Sequence, residues 1–270
     1  MTDSRRERRL QLRPLVIGAV VALVLVVAAV AWHVHEDSAN SALPPGAVGP
    51  AAAPAIGADG GATTSFASLG VETVELDAFN GKLIIAPGPA ARVTVTTSGA
   101  SPNAASPYFR LDASAHTLVL ACSDQHPAGA APAASVVACP AADYDLSVPA
   151  GMGVKLDEQS GQASLSGLSG PVSITATSAD TTAQDLHTAE FTAAVTSGTL
   201  DAGFATAPAH VAVSVTSAHA TLRLPGTVGY DVVKQAVSAD IEVGVPESDT
   251  SQYVVQAVAT SGEISLLTNP

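Results

Sequence analysis

The sequence predicts an all-β protein, with stacked strand repeats of the β-solenoid or parallel β-helix type preceded by a β-meander and by one N-terminal transmembrane helix. Three observations carry that reading. A Ser-Gly or Ser-Ala step recurs six times, at Ser160, Ser178, Ser197, Ser217, Ser238 and Ser261, at intervals of 18, 19, 20, 21 and 23 residues. Apolar or small residues stand three and five positions after each serine: Ala163/Leu165, Thr181/Ala183, Leu200/Ala202, Ala220/Leu222, Ile241/Val243 and Ile264/Leu266. The same period of two precedes several of the serines, as in Val172/Ile174/Ala176, Phe191/Ala193/Val195 and Val211/Val213/Val215, and period two is the pleat of a strand. Each unit therefore reads as strand, tight small-residue turn, strand. A unit near twenty residues cannot bury its own apolar face and must stack on its neighbours.

Composition agrees with this class. Aromatics are 4% and charged residues 13% of the 270-residue chain. Small and β-branched side chains suit thin stacking of sheet on sheet better than a deep cavity.

Taken in order, residues 1–14 form a basic tail with Arg5, Arg6, Arg8, Arg9 and Arg13. Leu15 to Trp32 is an uncharged apolar run spanning roughly 27 Å as a helix, close to the hydrocarbon thickness of a bilayer. Arginines flank only its N-terminal side, so a signal-anchor in the cell membrane with a cytoplasmic N-terminus and an extracytoplasmic remainder is expected. A cleaved signal peptide ending at Ala29-Val30-Ala31 is the competing reading. Residues 33–65 are rich in Ala, Pro and Gly and are expected to be a semi-extended linker. Beyond the tail the acidic residues far outnumber the basic ones, which argues against nucleic acid or anionic headgroups as partners of the folded part.

The folded domain is expected from Phe66 to Pro270, with a meander over 66–150 and repeats over 151–270. Val71, Val74, Leu76 and Phe79 lead to Asn80-Gly81, which reads as a hairpin turn before Lys82-Leu83-Ile84-Ile85. Cys122 and Cys139 flank a Pro- and Ala-rich loop. In an oxidising compartment a disulfide between them is the natural reading, and with His126 they are one ligand short of a closed zinc site. Tyr144 to Val148 is a further alternating strand. Two residues break the pattern: Glu158 and Lys234 fall on the inward parity, so either the register slips there, as Val233 and Val237 suggest for the second, or those strands begin late.

The run Thr73 to Gly88, the two cysteines, the stretch DYDLSVPAG from Asp143 to Gly151 and the following Ser-Gly repeats together resemble the DUF-class family of β-strand-repeat "putative adhesins" in its actinobacterial, membrane-anchored form. The resemblance implies the fold from Phe66 onward and a surface role, and it brings no catalytic residues. The family's commonest repeat has Asp after Ser-Gly, whereas here those positions are Gln162, Asp180, Thr199, His219, Asp240 and Glu263.

In a stack these six would form one column, and Asp180, His219, Asp240 and Glu263 could in principle face a cation; a solvated row of turn residues is the plainer reading. No Gly-x-Ser-x-Gly elbow, Walker loop, dinucleotide fingerprint or CxxC pair occurs in the sequence. The expectation is thus a non-enzymatic surface module without catalytic residues, metal or cofactor, contacting an envelope protein or polymer. Two alternatives stand beside it. One is a glycan-acting enzyme using carboxylates such as Asp157, Glu158, Asp180 or Asp240, and the other an extracytoplasmic sensor.

Overall fold

The computed structural model describes residues 55–56, 62–98, 106–112, 115–123, 136–137 and 142–269. Sixteen strands join in one mixed sheet with no helix among the described residues. They are β1 (Ala55–Ile56), β2 (Ala62–Ala67), β3 (Thr73–Pro87), β4 (Arg92–Ser98), β5 (Ser106–Asp112), β6 (Thr117–Ser123), β7 (Val136–Val137) and β8 (Ala142–Val148). The repeats follow as β9 (Gly153–Ser166), β10 (Val172–Leu186), β11 (Glu190–Phe204), β12 (His210–Leu224), β13 (Asp231–Ala236), β14 (Asp240–Val243), β15 (Val254–Ala259) and β16 (Glu263–Thr268).

Strands β9, β10, β11 and β12 stack in parallel with repeat on repeat: Ser178 pairs with Ser160 and with Ser197, and Ser197 with Ser217. The alternation sets the core. Val172, Ile174, Ala176, Phe191, Ala193, Val195, Val211, Val213 and Val215 are all buried before the serine step. After it Ala163, Leu165, Thr181, Ala183, Leu200, Ala202, Ala220 and Leu222 are buried too.

The expected turn between two strands is instead a bend within one long strand. Residues Phe191 and Phe204 of β11 would lie roughly 40 Å apart on a straight strand. Their rings meet edge to face with centroids 5.3 Å apart, so the strand folds back at Ser197-Gly198 and its two arms face each other across a shared interior.

The bend demands small residues because the backbones of successive rungs touch there. Gly198 has φ +106°, and a Cβ on it would lie 2.1 Å from the Ala179 carbonyl oxygen; Gly161, at φ +125°, would meet the Gly81 oxygen at 2.0 Å. Only glycine adopts such a conformation without strain.

That contact corrects the reading of Asn80-Gly81. The step is no hairpin: β3 runs through it, and Asn80 and Gly81 pair in parallel with Ser160 and Gly161 of β9. Thr73–Pro87 is thus a further repeat, with Asn in place of Ser and Leu83 and Ile85 buried three and five positions on. Ser160 Oγ donates to Asn80 Oδ1 at 2.6 Å. Asn-Gly favours positive φ in either context, and the parallel neighbour β9 decides which one forms.

Around this first rung, β2, β4 and β8 are antiparallel neighbours in that order, while β3 takes both β6 and β8 in parallel. Strand pairing also starts earlier than Phe66, since β2 opens at Ala62 and pairs with β1 within the expected linker. Such edge strands are held by backbone hydrogen bonds and need few large side chains. The apolar run Leu15 to Trp32 lies outside the described residues, and among those described no helix is long and apolar enough to cross a membrane.

At the far end the order of the chain is not the order of the rungs. The last repeat, β15 with β16, pairs with β12, and the preceding repeat, β13 with β14, lies beyond it at the edge. No register slip occurs at Lys234: β13 pairs with β15 without a break, placing Lys234 opposite Ala257 on the core-facing side, where it is exposed because the stack ends. Val233 and Val237, 46% and 56% exposed, face solvent rather than marking a shifted register.

A prediction follows for Ile241. It holds the repeat position of the buried Ala220 and Ile264, yet at the edge it is only partly buried. Ile241→Lys is therefore expected to cost about 1 kcal/mol rather than the several expected for a charge placed in the interior. A urea unfolding midpoint measures this, and loss of folding would place that rung inside the stack.

Candidate functional site

Two outward faces flank the shared interior, and their chemistry differs. On the arm after the serine step the six turn positions form one column, ordered Gln162, Asp180, Thr199, His219, Glu263, Asp240, with Lys82 of β3 beside Gln162. The last two stand in the reverse of their chain order. Their polar groups are largely engaged with one another. Asp180 Oδ1 accepts from Thr199 N at 3.1 Å and from Thr199 Oγ1 at 2.7 Å, and His219 Nδ1 lies 3.7 Å from Glu263 Oε2. In the next columns Asp201 accepts from Arg223 Nη1 and, at 3.2 Å, from Gln184 Nε2. Among the described residues no three His, Cys, Asp or Glu side chains are grouped as metal ligands.

On the arm before the serine step the columns are Lys155, Ser173, Thr192, Ala212, Gln256 and Asp157, Thr175, Ala194, Ser214, Val258. Lys155 donates to Glu75 at 2.9 Å and so closes the first column at its β3 end. Between their β9 and β15 ends these two columns carry hydroxyls and methyls with no charge, at about 4.8 Å per rung, and Glu190 lies on the same face at the start of β11. No hydrogen bond within the described residues engages the hydroxyls of Ser173, Thr175, Thr192 or Ser214, and Thr175 and Thr192 are exposed.

The four carboxylates of the enzymatic alternative are not gathered round one groove. Asp157 and Glu158 are successive residues of β9 and project to opposite faces. Asp180 and Asp240 are four rungs apart in the column, about 19 Å at sheet spacing.

Glu158 points into the interior and is 1% exposed. Thr181 Oγ1, also buried, donates to Glu158 Oε2 at 3.3 Å. Burial raises its pKa to about 7, the Thr181 hydrogen bond opposes that shift, and the negative charge of Asp180 adds to it. Sequence reasoning flagged Glu158 as a break in the pattern; its partner Thr181, read only as a small inward residue, explains how the carboxyl is accommodated. The edge-to-face pair of Phe79 and Tyr144, with centroids 4.9 Å apart, belongs to the same end of the interior, where Phe79 pairs with Glu158 and the register between β3 and β9 shifts on either side of that pair, the slip expected at Glu158.

A shallow, open hollow is lined by Ser68, Val71, Glu72, Ala90, Pro149 and Met152 at the loops joining β2 to β3, β3 to β4 and β8 to β9. It holds no second carboxylate. Cys122 lies in β6 and pairs in register with Val137, whereas Cys139 and His126 fall outside the described residues, as does any bond between the cysteines.

No protein-family profile matches the chain, and no curated protein sequence does. Among solved structures it is similar to a "putative cell adhesion protein" from Clostridium sporogenes, at 11% identity over 77% of this chain and 99% of that one, with a TM-score of 0.44. It is also similar to a "putative adhesin" from Parabacteroides merdae, at 10% identity over 77% of this chain and 96% of the other, with a TM-score of 0.24.

Proposed function

We propose that the protein is a non-catalytic surface module whose stacked rungs form a solenoid-like scaffold presenting a repetitive β face to an envelope protein or polymer. The observation that supports this most is the contrast between the two outward faces. On one face Asp180, Thr199, His219, Glu263, Asp201 and Arg223 engage one another, whereas the other offers columns of hydroxyls with no partner among the described residues. Unengaged donors and acceptors at rung spacing suit an extended ligand with a repeating backbone, because each of β10, β11 and β12 presents at least one such hydroxyl in these columns. Rigid presentation supports it further, since each rung is held by its neighbours and loses little freedom on binding.

Placement at the cell surface belongs to the same proposal. It is supported by the one-sided arginines around Leu15 to Trp32 and by the Pro- and Ala-rich linker.

Thr175→Arg combined with Thr192→Arg tests the reading. Both side chains are exposed, so the thermal midpoint is expected to stay within about 2 °C. Crosslinked capture of an envelope component by the full chain is expected to fall about tenfold in the double variant, as bulk and charge spoil the flat face. Capture unchanged by these substitutions would rule out the hydroxyl face.

A further inference from the structure

Beyond the hydroxyl columns, the rung that ends the stack is itself open on one side. Among the described residues β13 pairs only with β15, and β14 only with β16. The Asp231 and Val237 amides donate to the Tyr253 and Ala259 oxygens of the neighbouring rung. Alternation along a strand then turns the amides of Val232, Lys234 and Ala236 the other way. In β14 the Asp240 and Gly244 amides reach the Gly262 and Leu266 oxygens, so those of Ile241 and Val243 face the open side.

The chain shows that this edge accepts a neighbour. Just before β13 the Tyr230 amide donates to the Pro246 oxygen at 2.8 Å and the Tyr230 oxygen accepts from the Ser248 amide at 2.8 Å, forming one isolated parallel bridge with Glu247. Past that bridge no strand follows along β13 among the described residues. The exposed apolar side chains Val233 and Val237 lie on the same rung.

Charge indicates the occupant. From Gly229 to Tyr253 the charged residues are Asp231, Asp240, Glu242, Glu247 and Asp249 against Lys234 alone. A second copy would bring two acidic edges together. It would also set its rung against Lys234, which holds a core-facing position where an apolar residue would otherwise continue the stack. A segment rich in Lys or Arg avoids the first obstacle, and as a single strand rather than a whole rung it leaves the end of the interior open to solvent around Lys234.

We propose that the free edge of β13 and β14 accepts an extended, basic segment of a partner protein as one further strand. Backbone hydrogen bonds to the outward amides and carbonyls hold it, and its cations lie against Asp240 and Glu242. This site is separate from the hydroxyl columns and does not depend on them.

Fluorescence anisotropy on the full chain tests it with three labelled peptides. One alternates Lys and Val, one replaces Lys by Glu, and one is the Lys peptide with alternate backbone amides methylated. The Lys peptide is expected to bind about tenfold tighter than the Glu peptide, and the methylated peptide to lose binding. Asp240→Lys with Glu242→Lys is expected to weaken the Lys peptide about tenfold, and Lys234→Pro, which removes one outward amide on an edge strand, to weaken it as well. Thr175→Arg with Thr192→Arg should leave peptide binding unchanged, so the two surfaces fail or succeed separately. Equal binding of the Lys and Glu peptides, binding indifferent to methylation, or no peptide binding with self-association removed by the same edge variants would each overturn the proposal.

Discussion

Gly198→Ala is expected to destabilise the protein by about 3 kcal/mol or more, although it adds a single methyl group. Two effects combine. The backbone there has φ +106°, where a residue with a Cβ is strained, and that Cβ would stand 2.1 Å from the Ala179 oxygen. The obstacle is a backbone carbonyl in the parallel ladder, so it cannot turn aside as a side chain would. The reverse change at the matching position of the next rung, Ala218→Gly, is expected to cost only about 1 kcal/mol. It removes one buried methyl and adds freedom to the unfolded chain. Urea unfolding of the two variants compares them directly. Equal losses would show that the bends are interchangeable.

The spatial order of the bends shows why they are not. Along the ladder from Gly161 they run Gly161, Ala179, Gly198, Ala218, Gly262, Ala239, a strict alternation of glycine and alanine. The glycines have positive φ, and each abuts the carbonyl oxygen of its neighbour: Gly161 that of Gly81, Gly198 that of Ala179 and Gly262 that of Ala218. Along the chain the alternation is broken by Ala218 and Ala239, and it appears only once the last repeat is placed before the one preceding it.

Raising the pH from about 4.5 to above 7 is expected to remove about 3 kcal/mol of stability through Glu158 alone. The carboxyl titrates near 7 in the folded protein because burial disfavours its charge, against an ordinary value near 4.3 in the unfolded chain. Below the lower value both states hold the proton, and the contribution is fully present. Between the two values the folded state keeps a proton that the unfolded state has released, so each pH unit lowers stability by about 1.4 kcal/mol. Above 7 the folded protein carries a buried carboxylate held by one Thr181 hydrogen bond and facing the charge of Asp180.

Glu158→Gln keeps a carbonyl to accept from Thr181 and stays neutral throughout. The variant is therefore expected to lose this part of the pH dependence and to exceed the native protein in stability at pH 8, by up to about 3 kcal/mol. Unfolding midpoints of both proteins from pH 5 to 8 decide the matter, since curves that run parallel would place the titrating group elsewhere.

The sequence by itself determined which side chains face inward in each repeat and where each strand bends. Both are local: the period of two assigns Val172, Ile174 and Ala176 to one side, and a small pair such as Ser178-Ala179 shifts the parity for Thr181 and Ala183. The same local pattern marked Glu158 and Lys234 as inward residues, and both are on the core-facing side.

What only the tertiary structure decided is which rung lies beside which. Backbone hydrogen bonding is blind to sequence, so neither Asn80-Gly81 nor the repeat at Ser238 announces its neighbour. Asn80-Gly81 became a bend because Gly161 lies against it, not because its own residues differ from a hairpin turn. For the end of the stack the physical reason is a charge. The repeat with Val255, Ala257, Ala259, Ile264 and Leu266 facing inward can be covered on both sides, whereas the one with Lys234 facing inward can remain solvated only at the edge.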